Sequence, residues 1–418
     1  MTPEAYLRDL ACADTSGGPV ELMRLCLFDW AVCAIAGQEE PAASILAMAC
    51  DSEGEASVVG GGRTTPAEAA LINGTTGHAL DYDDTHFGHI GHTSAVVMPA
   101  LLALAEEREA NLSDLLDAAL IGSEAALRVG LWLGRSHYQA GFHQTATSGA
   151  VGAALGGARL LGLDPGATGH AVGLAAAGAA GLKGQFGTMG KPLNAGRAAR
   201  GAVEAALWAE AGMTSDPAGL SGPQGLGATH HGAGDATAFD GPDWQIAGLS
   251  HKFHACCHGL HAMLEALRDV PSDTVALTVT TNPRWLSVCN QPAPETGLAV
   301  KFSYRHTAAM ALAGRDTGDI REYTGATARD PALCALREAV TVEASDSLSE
   351  TQCRLTLTRA SGETVTRSHD LAQPMAMEAR TTRLRDKART VLGPAKARDL
   401  WEATSGSDLA AVMAVLRS

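Results

Sequence analysis

Helix follows helix between residues 94 and 213, and small side chains fill much of the apolar face of each. Residues 94–108 (SAVVMPALLALAEER) open on a serine and repeat apolar positions at helical spacing, and residues 114–134, 147–163, 167–182 and 196–213 do the same. Short punctuation such as Leu163-Asp164-Pro165-Gly166 separates them. Forty-seven glycines and only 4% aromatics mean that such helices pack by close approach rather than around bulky rings. At 418 residues the chain exceeds one ordinary core, so two domains are expected.

The texture changes after residue 270. Residues 274–281 (TVALTVTT) form a β-branched run, and 339–344, 353–358 and 363–369 are three more, the last two flanking a Ser361-Gly362 hairpin signal. Helical stretches at 300–312 and 331–339 lie between them. The expected fold class is mainly α: an all-helical domain over 1–267, rejoined by helices at 386–418, and a smaller α+β domain over 268–385. Residues 217–240, rich in Gly, Ser, Ala and Thr, read as a long loop.

Charge narrows the partners. Forty-six acids against 31 bases leave a formal charge of −15, which argues against nucleic acid and against an anionic membrane surface. The longest apolar run, residues 171–182, is far short of the ~20 residues a span needs. Nine cysteines, an odd number with Cys256 and Cys257 adjacent, sit in no short disulfide framework. Residues 1–14 carry three acids and no apolar stretch, so a signal peptide is not expected and a reducing cytoplasm is.

The densest polar cluster runs from His78 to His92 (HALDYDDTHFGHIGH), with four histidines and three aspartates. A solvated loop is the plain reading. Two chemical ones compete with it: a metal site, because His86, His89 and His92 are spaced like ligands, and proton transfer by His and Asp groups that tune each other. Neither HExxH nor paired CxxC supports zinc. His143 precedes a helix, where backbone N–H groups favour an anion. Lys191 sits among Gly-rich turns (GQFGTMGKPLNAGR) that suit a carboxylate or phosphate, although proline after the lysine rules out a P-loop. The segment HKFHACCHGLH (251–261) combines Lys252, two cysteines and His261, and KFSYRH (301–306) carries Arg305 and His306; each also admits a structural reading.

These five segments, in this order, resemble the MmgE/PrpD family, which contains 2-methylcitrate dehydratases, cis-aconitate decarboxylases and an iminodisuccinate epimerase. The similar stretches, HALDYDDTH with HTSAVVMPALLALAE, GFHQTATSGAVGAALGGARLLGL, FGTMGKPLNAGRAARGAVEAALWAEAG, KFHACCHGLHAMLEAL and KFSYRHTAAMALAG, spread over residues 71–315. The resemblance implies a large helical domain, a smaller α+β lid domain, a homodimer and no metal or organic cofactor. It carries active-site roles onto Asp81, Thr85, His92, His143 and Lys191, and onto Lys252 and His261. Two departures bear on substrate: His306, preceded by Arg305, stands where many members have a tyrosine, and Phe253-His254 replaces Tyr-Pro.

The chemistry implied is proton abstraction next to a carboxylate on a small polycarboxylic acid. Lys191, Lys252 and Arg305 are candidates for stabilising charge, and His92 and His143 are the acid–base pair in either order. Asp81 is expected to orient a histidine, and Thr85 to hold a carboxylate or a water. A dehydratase-type lyase is the first expectation. A two-base epimerase using His306, a cis-aconitate-type decarboxylase and a non-catalytic binding protein follow it.

Overall fold

A computed structural model describes residues 1–50 and 52–418. The chain is mainly α and divides into two compact units, one of residues 1–251 and 392–418, the other of residues 252–391. The division places the whole of Lys252–His261 in the second unit, whereas the change of texture in the sequence assigned it to the first.

In the first unit the expected helices are present as Ser94–Glu107, Leu112–Ala140, Gln144–Leu160, Pro165–Gly178 and Gly190–Glu210, joined by Pro66–His78. Side chains cap several starts: Asn111 accepts from Asp114 N–H at 2.9 Å and Asp164 from Gly166 N–H at 2.8 Å. The Leu112–Ala140 helix is broken at Gly134 (φ 67°), the residue where the sequence pattern stops. The last helix begins earlier than its periodicity predicts and takes in Lys191. Pro192 lies in its first turn, where the missing N–H has no intrahelical acceptor to lose.

The helices meet through glycine. A Cβ on Gly152 would lie 2.4 Å from the Gly122 carbonyl oxygen, and one on Gly196 would lie 2.3 Å from the Leu71 carbonyl oxygen. Both obstacles are backbone and cannot rotate away. Gly152→Val is therefore expected to destabilise the first unit by about 1–3 kcal/mol through overpacking, read as a lowered urea midpoint with an unchanged slope.

The long loop is latched rather than loose. Buried Arg128 pairs with Glu124 at 2.7 Å and donates to the carbonyls of Ala238 (3.0 Å), Asp240 (2.8 Å) and Asp243 (2.6 Å). Glu124 accepts from the N–H groups of Gln245 and Ile246, each at 3.0 Å.

The second unit holds a four-stranded sheet in the order Val340–Ala344, Thr274–Thr281, Gln352–Arg359, Thr364–Asp370. Its first pair is parallel and the others antiparallel, the final pair turning at Gly362 (φ 86°). The parallel pairing requires a crossover, supplied by helices that include Tyr304–Leu312 and Pro331–Glu338. Alternation sends Leu277 and Val279, with Cys353, Leu355 and Leu357, into the core. Among the described residues no helix is long and apolar enough to cross a membrane.

Candidate active site

His78 closes the Pro66–His78 helix, and the segment that follows folds back so that His92 faces it, with ring centroids 4.6 Å apart. Asp81 lies at positive φ (53°), a conformation that aspartate adopts more readily than most L-residues. The turn gives its carboxylate two neighbours: the Lys191 ammonium, with Nζ at 2.8 Å, and His92 Nε2 at 3.2 Å from Oδ1. On the other side of His92, Asp83 Oδ2 lies 3.2 Å from Nδ1. His92 thus sits between two carboxylates.

Asp83 is shared. Both its oxygens lie 3.0 Å from Nδ1 of His78, and both side chains are fully buried. Burial alone would raise the Asp83 pKa, but the imidazoles of His78 and His92 outweigh it and hold the carboxyl well below its usual range. Next door, Asp84 behaves in the opposite way. Burial, with the carboxylates of Asp83 and Asp29, pushes it up to about 7 against two hydrogen bonds from Ser94.

His143 immediately precedes the Gln144–Leu160 helix and stacks at 5.9 Å from the His78 ring. Burial first, then the neighbouring His78, Lys191 and His92, carry its pKa well below the ordinary histidine value, with Asp81 opposing. His143 is therefore neutral at physiological pH. Its Nδ1 lies 3.3 Å from the Asn194 amide nitrogen, one turn beyond Lys191. Phe186 packs edge-on against His143 and lies under the Lys191 ammonium.

Of the residues expected from sequence, Asp81, His92, His143 and Lys191 come together. Thr85 is held nearby in a two-way backbone pairing with Ser250, both N–H···O distances 2.8 Å. His86 and His89 take no part. His86 Nδ1 accepts from the His89 N–H (3.1 Å), and His89 Nε2 meets Ser148 Oγ at 2.7 Å. Burial pushes them down to about 4 and about 3. The ligand-like spacing of His86, His89 and His92 thus does not become convergence. Among the described residues, the groups whose ligand atoms lie within 4.8 Å of one another are His78, Asp81, Asp83 and His92, and separately Cys26, Asp84 and His251. In the first of these, Lys191 already supplies the cation at Asp81.

The second unit contains the other expected residues. Lys252 and His261 are both buried. His261 packs against the rings of His258 (4.6 Å) and His254 (5.1 Å), and burial with these neighbours and Lys252 drives its pKa well down. Arg305 and His306 begin the Tyr304–Leu312 helix, and His306 Nε2 lies 3.1 Å from the Thr327 carbonyl. Burial lowers its pKa as well, against that hydrogen bond.

Sequence reasoning did not single out His78, Asp83 or Asn194. All three lie inside the motifs quoted, but spacing along a loop does not say which of several aspartates faces which ring.

Residues 5–239 match the MmgE/PrpD N-terminal domain and residues 251–408 the MmgE/PrpD C-terminal domain. A cis-aconitate decarboxylase-like protein of Aspergillus oryzae is 31% identical over 285 residues, covering 63% of this chain and 59% of that protein. A cis-aconitate decarboxylase of Aspergillus terreus is 29% identical over 286 residues (63% and 58%), and one of Homo sapiens 33% identical over 171 residues (40% and 35%). The aligned stretches thus span less than two thirds of these relatives' own length. Matched along both parts of its length, the chain belongs to the MmgE/PrpD family.

Proposed function

We propose that this chain is a cofactor-independent lyase that removes CO2 from a small polycarboxylic acid of the cis-aconitate type. The observation that carries the reading is His92, flanked by the carboxylates of Asp81 and Asp83 and set beside Lys191 and a neutral His143. Cleavage of the C–C bond to a carboxylate leaves its electron pair on the remaining carbon framework, and that carbon must then take a proton. An imidazolium at His92 is the proton source, and returns to neutral imidazole when it has delivered it. The ammonium of Lys191 and an N–H of neutral His143 offset the developing charge. Asp81, released from Lys191 as substrate carboxylate arrives, still holds His92. Thr85 positions a substrate carboxylate, and Lys252, His261, Arg305 and His306 are proposed as further substrate contacts.

Water loss from a 2-methylcitrate-type hydroxy acid would use the same groups. Decarboxylation is placed first because the similar proteins above are named for it. The test is incubation of the purified protein with cis-aconitate in deuterium oxide, following CO2 and the five-carbon unsaturated dicarboxylic product, with 2-methylcitrate and chiral dicarboxylates in parallel. CO2 release with one deuterium bound to carbon is expected. Deuterium exchange and inversion of a chiral dicarboxylate, without CO2 or any unsaturated product, would make the protein an epimerase and end the lyase reading.

A further inference from the structure

Asn194 makes two contacts through one atom. Its Nδ2 lies 3.3 Å from His143 Nδ1 and 3.2 Å from the Leu182 carbonyl oxygen. A backbone carbonyl can only accept, so the amide must present its NH2 group to Leu182. Turning the amide over would set two oxygens face to face. The second hydrogen of the same NH2 group then points to His143, and Nδ1 must accept it.

A neutral imidazole carries one proton. With Nδ1 accepting, that proton resides on Nε2. We infer that Asn194 is a positioning residue that fixes His143 in the Nε2–H tautomer, so that His143 serves the reaction as a neutral hydrogen-bond donor and not as the general base. This inference rests on the lyase reading for its catalytic meaning, but the tautomer itself is a property of the resting protein.

The surroundings fit the assignment. Lys191, one turn before Asn194 in the same helix, places an ammonium near the ring, and a second cation there would be repelled. Asn194 supports His143 without adding charge, whereas the carboxylates of Asp81 and Asp83 both lie against His92. His143 is thereby held neutral beside the same His78 ring that His92 faces.

The decisive measurement is the 15N spectrum of histidine-labelled protein, with the His143 signals identified by their absence in His143→Gln. In wild type, a protonated Nε2 and an unprotonated Nδ1 are expected at pH 7. In Asn194→Asp the new carboxylate accepts from Nδ1–H, so the tautomer reverses or the ring becomes cationic. Turnover of cis-aconitate by that variant should fall more than about tenfold in kcat with a smaller change in KM, and its pH–rate profile should gain an ionisation. Asn194→Ala, which removes the donor without adding charge, should show a mixture of tautomers. A wild-type spectrum with the proton on Nδ1 would overturn the inference, as would an Asn194→Asp protein with unaltered His143 signals. Because the spectra need no substrate, absence of cis-aconitate turnover would count against the lyase reading alone.

Discussion

Replacing His92 by glutamine is expected to reduce turnover of cis-aconitate by about 10²–10⁴-fold while leaving the fold intact. The two carboxylates around the ring explain both parts of that expectation. They stabilise a charged donor, and glutamine has no proton to give. Asp81 keeps Lys191 and buried Asp83 keeps His78, so neither carboxylate is stranded. The loss should fall on kcat, since carbon protonation occurs after substrate is bound, with KM changing by far less. Asp83→Asn supplies the companion result. It removes the charge that His78 and His92 share, and should lower kcat with a shifted pH optimum, whereas a residue that only fills space would move stability alone. Full activity in His92→Gln, measured as CO2 release at saturating cis-aconitate, would remove His92 from the reaction.

Much of this was legible in the sequence because helices and strands announce themselves by period. The runs beginning at Ser94 and Thr274 are found where their patterns place them, and the hairpin turns at Gly362 as its dipeptide requires. Family motifs likewise nominated Asp81, His92, His143 and Lys191; the fold pairs Asp81 with Lys191 and His92 and sets His143 beside the His78 ring that His92 also faces. What the motifs lacked was direction. Asp81, Asp83 and Asp84 are near neighbours in one loop, yet one faces a lysine, one lies between two imidazoles and one accepts from Ser94. The ionisation of Asp83 and Asp84 diverges accordingly, and no periodicity encodes it, because a loop with a left-handed residue at Asp81 has no repeating face. His86 and His89 show the converse. Their spacing suggested ligands, but the backbone turns them into the interior, where they bind each other and Ser148.

Those buried histidines are expected to make the protein acid-labile. His86 and His89 titrate at about 4 and about 3 when folded, against about 6.5 when unfolded. Their contribution is complete above pH 6.5, where both states are neutral, and is lost as pH falls from 6.5 towards those folded values, because only the unfolded chain takes up protons there. Burial puts His143 and His261 in the same class. Asp84 works against them. Raised to about 7, it binds its proton more tightly when folded, so its contribution is present below about 3.8 and disappears as pH rises through 7. On acidification from pH 7 to 4.5, Asp84 therefore returns a few kcal/mol, while His86 and His89 each remove a comparable amount and the remaining buried histidines add to the loss. The histidines win by number. Stability from urea unfolding should drop by several kcal/mol over that range, enough to unfold a domain of ordinary stability. Two variants test the signs separately. His89→Asn, already neutral at every pH, should lower stability at pH 7 yet flatten its fall with acid. Asp84→Asn should steepen that fall by removing a group that opposes it. A stability that is level from pH 7 to 4.5, or an Asp84→Asn protein with a shallower slope, would contradict the assignment of buried neutral imidazoles around the site.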